Sequence, residues 1–511
     1  MKIFKFTIAI AIAIMVIFVS CDEFLEENPS KTIDVIPETL EQLEALLNNY
    51  NVFYREPSNE RIFGTDDYAF ITDLYDAENS IYSTISISYG AWAVDLIPDI
   101  TGRVYWPSEW EKIFTANLVL QELGNVPGDA QEKEDIRAEC YFIRAYSYFQ
   151  LATVYCLPYT DANKTELGLP IKQTTSFEEN IERATLEETY TFIADDLDKA
   201  MKITRSFNKV NNLNRSWRAS TAAVNGFAAR FYLALNDYVN AQFYAQKALN
   251  EYNQLRNYNT DMRFSDIPTE VTIFNPNPTN VSIFYPYTHD QQIVVEDRLQ
   301  FGESYYFRML YDAGIGYFPS QELLALYNQV YDLRYKFHIV EDYSYTRNVV
   351  DPPYSYPGYV FFYQSDLPSG PSVPEMLLIK AECQVRQGSF VEGIQTVNQL
   401  RVARMDASAP ASDINLTASS QTDALVKVLE ERRREMPYVH RWYDVRRYNN
   451  NDNSADDVIM TKTFYPFNIA SILGSEPPIT YTLDKNSRRF AYPIPEADII
   501  ASEGVLQQNK Y

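Results

Sequence analysis

Few residues in the chain have the types and spacing that catalysis requires. The three histidines, His289, His338 and His440, belong to no HExxH or other ligand-spaced motif. Gly314-Ile315-Gly316 lacks the third glycine and the following helix of a dinucleotide site, and no GxSxG nucleophile elbow occurs. Paired carboxylates have no sequence signature, so a glycosidase stays as an alternative. The sequence predicts no catalytic residue, no metal site and no cofactor.

A run of three arginines, Arg432-Arg433-Arg434, is the densest group of cations in the chain. Guanidinium groups bind carboxylates or phosphates through two parallel hydrogen bonds. Glu430, Glu431, Glu435 and Asp444 lie close by in sequence. This mixture favours ion pairs between helices over an anion site.

Five acidic residues, Asp66, Asp67, Asp73, Asp76 and Glu78, form a second charged group. Carboxylate oxygens are the ligands that calcium prefers. Their spacing matches no calcium loop, so we interpret the group as a solvated acidic stretch.

The composition indicates a well-packed body, with 46% hydrophobic and 14% aromatic residues. The net charge of −25 argues against nucleic acid as a partner, because phosphate binding needs basic surfaces. It also argues against a body that lies on anionic lipid.

The first twenty residues have the pattern of an exported protein. Lys2 and Lys5 precede an apolar run from Phe6 to Val19, which is shorter than the roughly 20 residues that a membrane-spanning helix needs. We interpret residues 1–20 as a signal peptide. Phe18-Val19-Ser20-Cys21 resembles a bacterial lipobox, so we expect Cys21 to be acylated and to anchor the chain to a membrane.

Three cysteines remain, Cys140, Cys156 and Cys383. Their odd number excludes a fully paired framework. Buried thiols are the favoured interpretation, with a Cys140–Cys156 disulfide as an alternative.

Apolar residues at helical spacing predict helices over about 110–123, 132–155, 185–201, 220–235 and 238–249. Thr185 and Glu188 form a predicted capping box. The 220–249 pair resembles a tetratricopeptide unit of about 34 residues. A second copy spans 374–404, with Ala381 and Gly393 at the spacing of Ala229 and Ala241.

Two long regions, about 55–109 and 255–370, have no helical periodicity. Loops of this length in a compact body are usually functional or structured in their own right. The runs Ile81 to Ser88 and Val281 to Tyr287 favour small β-hairpins. We therefore expect ligand specificity in these insertions of a single domain, 21–511.

Four segments resemble the SusD/RagB family of outer-membrane nutrient-binding lipoproteins. They are the mature start from Cys21 to Pro29, the stretch from Arg144 to Ile171, the block from Glu431 to Arg447, and the ending from Pro493 to Tyr511. The segments follow the family's order along the chain. The turn Met436-Pro437-Tyr438-Val439 is one residue shorter than the family's pattern, so we expect a local difference there.

The resemblance implies a mostly α fold, a right-handed superhelix of tetratricopeptide-like helix pairs with long irregular loops and small hairpins. It implies a non-catalytic lipoprotein on the outer membrane, facing the cell exterior. Its partners would be a SusC-like TonB-dependent transporter and a nutrient, most often an oligosaccharide. The acidic residues after Cys21 resemble the family's surface-export signal.

Carbohydrate sites combine flat aromatic faces with a few polar groups. Trp92, Tyr105, Trp106 and Asp67 lie near where family members place their aromatic platform. Four tyrosines of the second long region complete the candidate ligand residues: Tyr285, Tyr287, Tyr305 and Tyr306.

Two alternatives share this architecture. The ligand could be a peptide or another nutrient. A pure protein-interaction scaffold is the other, because tetratricopeptide arrays often bind only proteins.

Overall fold

A computed structural model describes residues 37–99, 104–176, 178–213, 215–264, 269–274, 278–283, 302–311, 317–341, 356–361 and 366–511. Helices predominate in these ranges, which confirms the predicted fold class. In the part that the structure describes, no helix combines the length and apolar character of a membrane span.

The helices of the first half are α1 (Leu40–Leu47), α2 (Tyr50–Tyr54), α3 (Asn59–Gly64), α4 (Thr72–Ala77), α5 (Thr84–Gly90), α6 (Tyr105–Glu122), α7 (Ala130–Tyr155), α8 (Leu186–Ala200), α9 (Phe207–Asn211), α10 (Thr221–Ala234), α11 (Tyr238–Glu251) and α12 (Tyr258–Asp261). Those of the second half are α13 (Gln321–Leu326), α14 (Leu333–His338), α15 (Val373–Arg386), α16 (Phe390–Arg404), α17 (Ala411–Ile414), α18 (Gln421–Glu435), α19 (Arg441–Tyr448) and α20 (Glu496–Ala501).

The strands are short: β1 (Arg55–Pro57), β2 (Leu167–Pro170), β3 (Arg183–Thr185), β4 (Thr269–Phe274), β5 (Pro278–Ile283), β6 (Met309–Tyr311), β7 (Ile339–Val340), β8 (Gly358–Tyr359), β9 (Asp366–Pro368), β10 (Met460–Phe464) and β11 (Ile479–Leu483). One three-stranded sheet has the order β1-β6-β9, with β1 parallel and β9 antiparallel to β6. This sheet joins the two long regions, because Arg55 pairs with Met309.

The long helices pack as antiparallel pairs, α6 with α7, α10 with α11 and α15 with α16. Side-chain caps explain where two of the long helices begin. Thr185 accepts from the Glu188 N–H and the Glu188 carboxylate accepts from the Thr185 N–H, which confirms the predicted capping box. Asp129 caps α7 by accepting from the N–H groups of Gln131 and Glu132.

Small residues allow the paired helices to approach closely, as the repeat pattern predicts. Ala229, Ala241 and Ala245 are fully buried between α10 and α11. At Gly393 of α16, a Cβ atom would lie 2.5 Å from the Val385 side chain and 2.9 Å from the Ala381 carbonyl oxygen. Glycine is therefore required where α16 crosses α15.

The first long region is more helical than predicted. Residues 81–88 form no hairpin, because Ser83 and Ser86 make a capping box that starts α5, which buries Ile87. In the second region, β4 and β5 pair antiparallel, so a hairpin is confirmed for residues 281–283. Residues 284–287 lie outside the described residues.

The arginine run is used for ion pairs inside the protein, as predicted. Arg432 pairs with Asp444 at 2.8 Å, Arg433 with Asp67 at 2.6 Å and Arg434 with Glu431 at 2.8 Å. Burial alone would raise the pKa of Glu431, but the surrounding arginines hold it well below its usual range. The block is a structural brace between distant segments.

The short turn before α19 has an unusual backbone conformation. Tyr438 has φ +65, a left-handed conformation that is uncommon for a tyrosine. Its N–H donates to Asp67 Oδ2 at 2.8 Å. Asp67 therefore holds both Arg433 and this strained turn.

Candidate ligand-binding groove

Trp92 is a core residue rather than part of an exposed platform. Its side chain is fully buried, and its Nε1–H donates to the Gly64 carbonyl oxygen at 2.9 Å. It also has φ +53 in the turn that follows α5. Because the ring has no accessible face, it cannot stack on a sugar.

Tyr105 and Asp67 are also buried and already hydrogen-bonded. The Tyr105 hydroxyl donates to Glu56 Oε2 at 3.2 Å and accepts from Arg61. Asp67 is fully buried and paired with Arg433. These two residues stabilise the interior and offer no polar group to a ligand.

The tyrosines of the second region divide into two sets. Tyr305 and Tyr306 are fully buried; the Tyr305 hydroxyl donates to the Tyr252 carbonyl oxygen, and the Arg308 guanidinium stacks over the Tyr306 ring. Both are therefore packing residues. Tyr285 and Tyr287 lie outside the described residues, as does Cys21.

Trp106 is the one described candidate that lines an open groove. It stands four residues before Trp110 and eight before Phe114, so the three rings follow one face of α6. Trp106 itself is buried, Trp110 is half-buried and Phe114 is 40% exposed. We call the cavity beside them, of about 700 Å³, the tryptophan groove.

Aromatic packing fixes the rings of this groove. Trp106 meets Trp110 edge-on at 5.6 Å between ring centroids and Tyr155 at 5.0 Å. Trp110 meets Tyr148 of α7 in the same manner at 5.5 Å. Such edge-to-face pairs hold the rings in place before any ligand arrives.

The facing wall is the polar loop that follows β2. Asn117 of α6 donates its amide hydrogens to the carbonyl oxygens of Lys172 and Thr174, each at 3.2 Å. Glu179 accepts from the backbone N–H groups of Gln173 and Thr174. The loop therefore presents Thr174, Thr175 and Ser176 along a fixed wall.

The third wall comes from the C-terminal segment with Asp498, Ala501, Ser502 and Leu506. Burial raises the pKa of the Asp498 carboxyl, and its hydrogen bond with the Trp106 side chain offsets part of that rise. Glu111 adds an exposed carboxylate beside the rings. The groove thus combines apolar faces with hydroxyl and carboxylate groups.

This combination suits a ligand with one apolar and one hydroxyl-rich face. Apolar walls with few polar groups are the usual design of small-ligand sites.

Among the described residues, no three His, Cys, Asp or Glu side chains are grouped to hold a metal ion. Burial raises the pKa of the free thiols of Cys140, Cys156 and Cys383, which makes them inert.

Two of the groove's rings were not among the ligand residues predicted from the sequence. Trp110 and Phe114 have the same helical spacing as core residues such as Ile113, and that spacing predicts burial. The available signal is local: Trp106, Trp110 and Phe114 recur every fourth position, which places three large rings on one narrow stripe. Only the neighbouring loop and C-terminal segment decide how much of that stripe stays open.

Two family models match the chain. The model described as starch-binding associating with outer membrane matches residues 23–233, and the model described as the SusD family matches residues 374–511. The comparison with curated proteins gives no match.

Solved structures agree in fold over almost the whole chain. A SusD superfamily protein from Bacteroides thetaiotaomicron has a TM-score of 0.62 at 16% identity, covering 93% of this chain and 100% of its own. A SusD-like carbohydrate binding protein from Bacteroides vulgatus has a TM-score of 0.59 at 16% identity, covering 92% and 97%. Surface glycan-binding protein A from Bacteroides uniformis has a TM-score of 0.61 at 13% identity, covering 92% and 99%. With the matched models at both ends and the shared helical fold between them, this chain belongs to the SusD/RagB family.

Proposed function

We propose that this protein is a surface-exposed, non-catalytic lipoprotein that captures an oligosaccharide and delivers it to a SusC-like TonB-dependent transporter. The observation that carries the capture step is the tryptophan groove. Its half-buried Trp110 and exposed Phe114 offer apolar faces, and its facing wall offers hydroxyl groups. Sugar rings have these same two kinds of surface.

Family membership supports the sugar as the ligand class. One matched model is described as starch-binding, and two of the similar structures carry carbohydrate or glycan binding in their names. The fixed ring geometry of the groove lowers the entropy cost of binding, because few side chains need to be ordered by the ligand.

Delivery and anchoring rest on family membership and on the lipobox at Cys21. Acylation at Cys21 would hold the body at the outer membrane. Replacing Cys21 by alanine is expected to move the protein from the membrane fraction to the soluble fraction. Full retention of the variant in the membrane would contradict the anchor. Co-purification of a TonB-dependent barrel with the wild-type lipoprotein tests the transporter partnership.

Affinity electrophoresis of residues 22–511 against starch, xylan, galactomannan and pectin tests capture. Phe114→Ala and Trp110→Ala should each weaken retardation by the bound polysaccharide roughly tenfold, the loss of one stacking contact. Phe243→Ala is the matched control, because Phe243 is 52% exposed on α11 and lies outside the groove.

The outcomes separate the competing functions. Retardation that Phe114→Ala weakens and Phe243→Ala preserves supports sugar capture in the groove. If no polysaccharide retards the wild-type protein, sugar capture is contradicted. Peptide capture or protein scaffolding then explains the protein better than sugar capture. Peptide-binding measurements on the wild-type protein and the same variants distinguish these two functions.

A further inference from the structure

A second, chemically different groove lies at the ends of several helices. It is bounded by the α10–α11 turn, the segment after α7, the end of α15, the start of α18 and the loop after α19. Its volume is about 720 Å³. We call it the asparagine groove, after the lining residues Asn236, Asn450, Asn451 and Asn453, and it shares no lining residue with the tryptophan groove.

Side-chain amides hold the frame of this groove. Asn236, with φ +58, donates to the Asn450 carbonyl oxygen at 3.2 Å and so ties the α10–α11 turn to the loop after α19. Asn449 exchanges two hydrogen bonds with the backbone of Val458, at 2.9 and 2.7 Å. Asn451 accepts from the Asn453 N–H at 2.6 Å. The loop is therefore ordered by its own side chains.

Several polar groups facing this frame have unused hydrogen-bonding capacity. Gln421 donates to the Val385 carbonyl oxygen at 2.8 Å, while its Oε1 has no partner among the described residues. The exposed Thr422 hydroxyl and Asp452 carboxylate likewise have none within that part of the chain. Hydrogen-bond donors and acceptors therefore both line this side of the groove. This suits the hydroxyl groups of a ligand, because a hydroxyl both donates and accepts.

Two half-exposed rings stand beside these groups. Tyr159 is stacked on Tyr190 at 4.5 Å, which holds its ring in place. Tyr238 lies under the Arg386 guanidinium at 5.2 Å. Rings that are held in place provide apolar contact at low entropy cost.

The charges in the groove argue against an anionic ligand. Arg386 is its only lining cation within the described residues, and it is paired with Glu382 at 2.7 Å and with Asp456 at 2.5 Å. Asp161 and Asp452 leave the lining net acidic. A phosphate or uronate would meet repulsion here, whereas a neutral hydroxyl-rich molecule would not.

We propose that the asparagine groove is a second saccharide-binding site, selective for a neutral sugar unit. The sugar class rests on the proposed function, but the site and its preference for neutral units rest on the lining residues alone. Two separated sites on one body would bind a polysaccharide more tightly than either site by itself.

The test combines variants of both grooves in affinity electrophoresis with starch, xylan, galactomannan and pectin. Thr422→Trp places a large side chain into the asparagine groove from an exposed position. Phe114→Ala weakens the tryptophan groove, and Phe243→Trp is the control for an added exposed indole. Melting curves verify that each variant is folded.

We expect the Phe114→Ala protein to keep some retardation by a neutral polysaccharide, and the added Thr422→Trp change to reduce it roughly tenfold. Pectin, which carries uronates, should be insensitive to Thr422→Trp. If Thr422→Trp leaves every retardation unchanged while Phe114→Ala abolishes it, the second site is overturned and the proposed function stands. If the wild-type protein binds none of the four, both fail together.

Discussion

The Asp67 carboxylate lies 2.6 Å from the Arg433 guanidinium, although 366 positions separate the two residues. The same carboxylate accepts from the Tyr438 N–H, and Arg433 also faces Asp66 at 3.5 Å. The contact joins the segment after α3 to the end of α18. A residue that the sequence marks as a ligand candidate is therefore a brace between the two ends of the chain.

Asp67→Ala should lower the free energy of unfolding by about 3 kcal/mol, because the Arg433 guanidinium then keeps only Asp66 as its acidic partner and the Tyr438 N–H loses its buried acceptor. Urea unfolding at pH 7 measures the change. Glu134→Ala is the control, since the Glu134–Arg137 pair is about 40% exposed and such pairs contribute roughly 0–1 kcal/mol. Equal effects of the two changes would contradict the bracing role.

Trp92→Ala and Phe114→Ala should have opposite consequences. Removing the buried Trp92 ring is expected to cost about 3–5 kcal/mol of stability through the cavity it leaves, while the folded fraction binds sugar as before. Phe114→Ala should weaken binding and leave the melting temperature nearly unchanged. Calorimetric melting and sugar titration of both variants check this. A stable Trp92→Ala protein with lost binding would show that Trp92 contacts the ligand.

Lys462 predicts a specific pH dependence of stability. Its ammonium donates to the Phe63 carbonyl oxygen and lies 4.9 Å from the Phe70 ring centre. Burial lowers the pKa of Lys462 to about 7. Between this value and the usual value near 10.5, the unfolded chain binds more protons, so the free energy of unfolding should rise with pH over that window.

Lys462→Met removes this dependence. Below pH 7 Lys462 is protonated in both the folded and the unfolded wild-type protein, so folding must bury its charge. Because Lys462→Met removes that cost, we expect the variant to be more stable there, on the order of a few kcal/mol. Its advantage should shrink as the pH rises from 7 towards 10. Denaturant unfolding at pH 6, 8 and 9.5 measures the difference. A constant difference across these pH values would show that the buried amine does not titrate in this window.

Gly393→Ala tests the close crossing of α15 and α16. The added Cβ would meet Val385 and the Ala381 carbonyl oxygen, and such overpacking typically costs about 1–3 kcal/mol. Gly124→Ala is the control, because a Cβ there would have no neighbour within 4 Å. Thermal unfolding of both variants is the measurement. A neutral Gly393→Ala change would mean that the helices move apart without cost.

Local patterns predicted much of the helical scaffold. The Thr185 cap, the α10–α11 pair and the twelve-residue spacing of Ala381 and Gly393 depend on neighbours within one or two helical turns or one helix pair, so they can be read from sequence. The prediction of a β-hairpin at residues 81–88 was wrong. Their alternating Ile and Ser satisfied a strand pattern, but the Ser83–Ser86 capping box and burial of Ile87 favour a helix.

The candidate site depended far less on local pattern. Which aromatic ring stays open is decided by segments remote in sequence: Gly64 and its neighbours enclose Trp92, whereas the loop at 172–176 and the segment at 498–506 leave room beside Trp110 and Phe114.

By itself, the sequence determined the export signal pattern, the family resemblance, the helix pairs and the internal pairing of the arginine run. All of these rest on residue types at short spacing. Only the tertiary structure decided that Trp92, Tyr105 and Asp67 are interior and that Phe114 is exposed. The physical reason is that burial is a property of long-range packing, which residue type and local spacing do not specify.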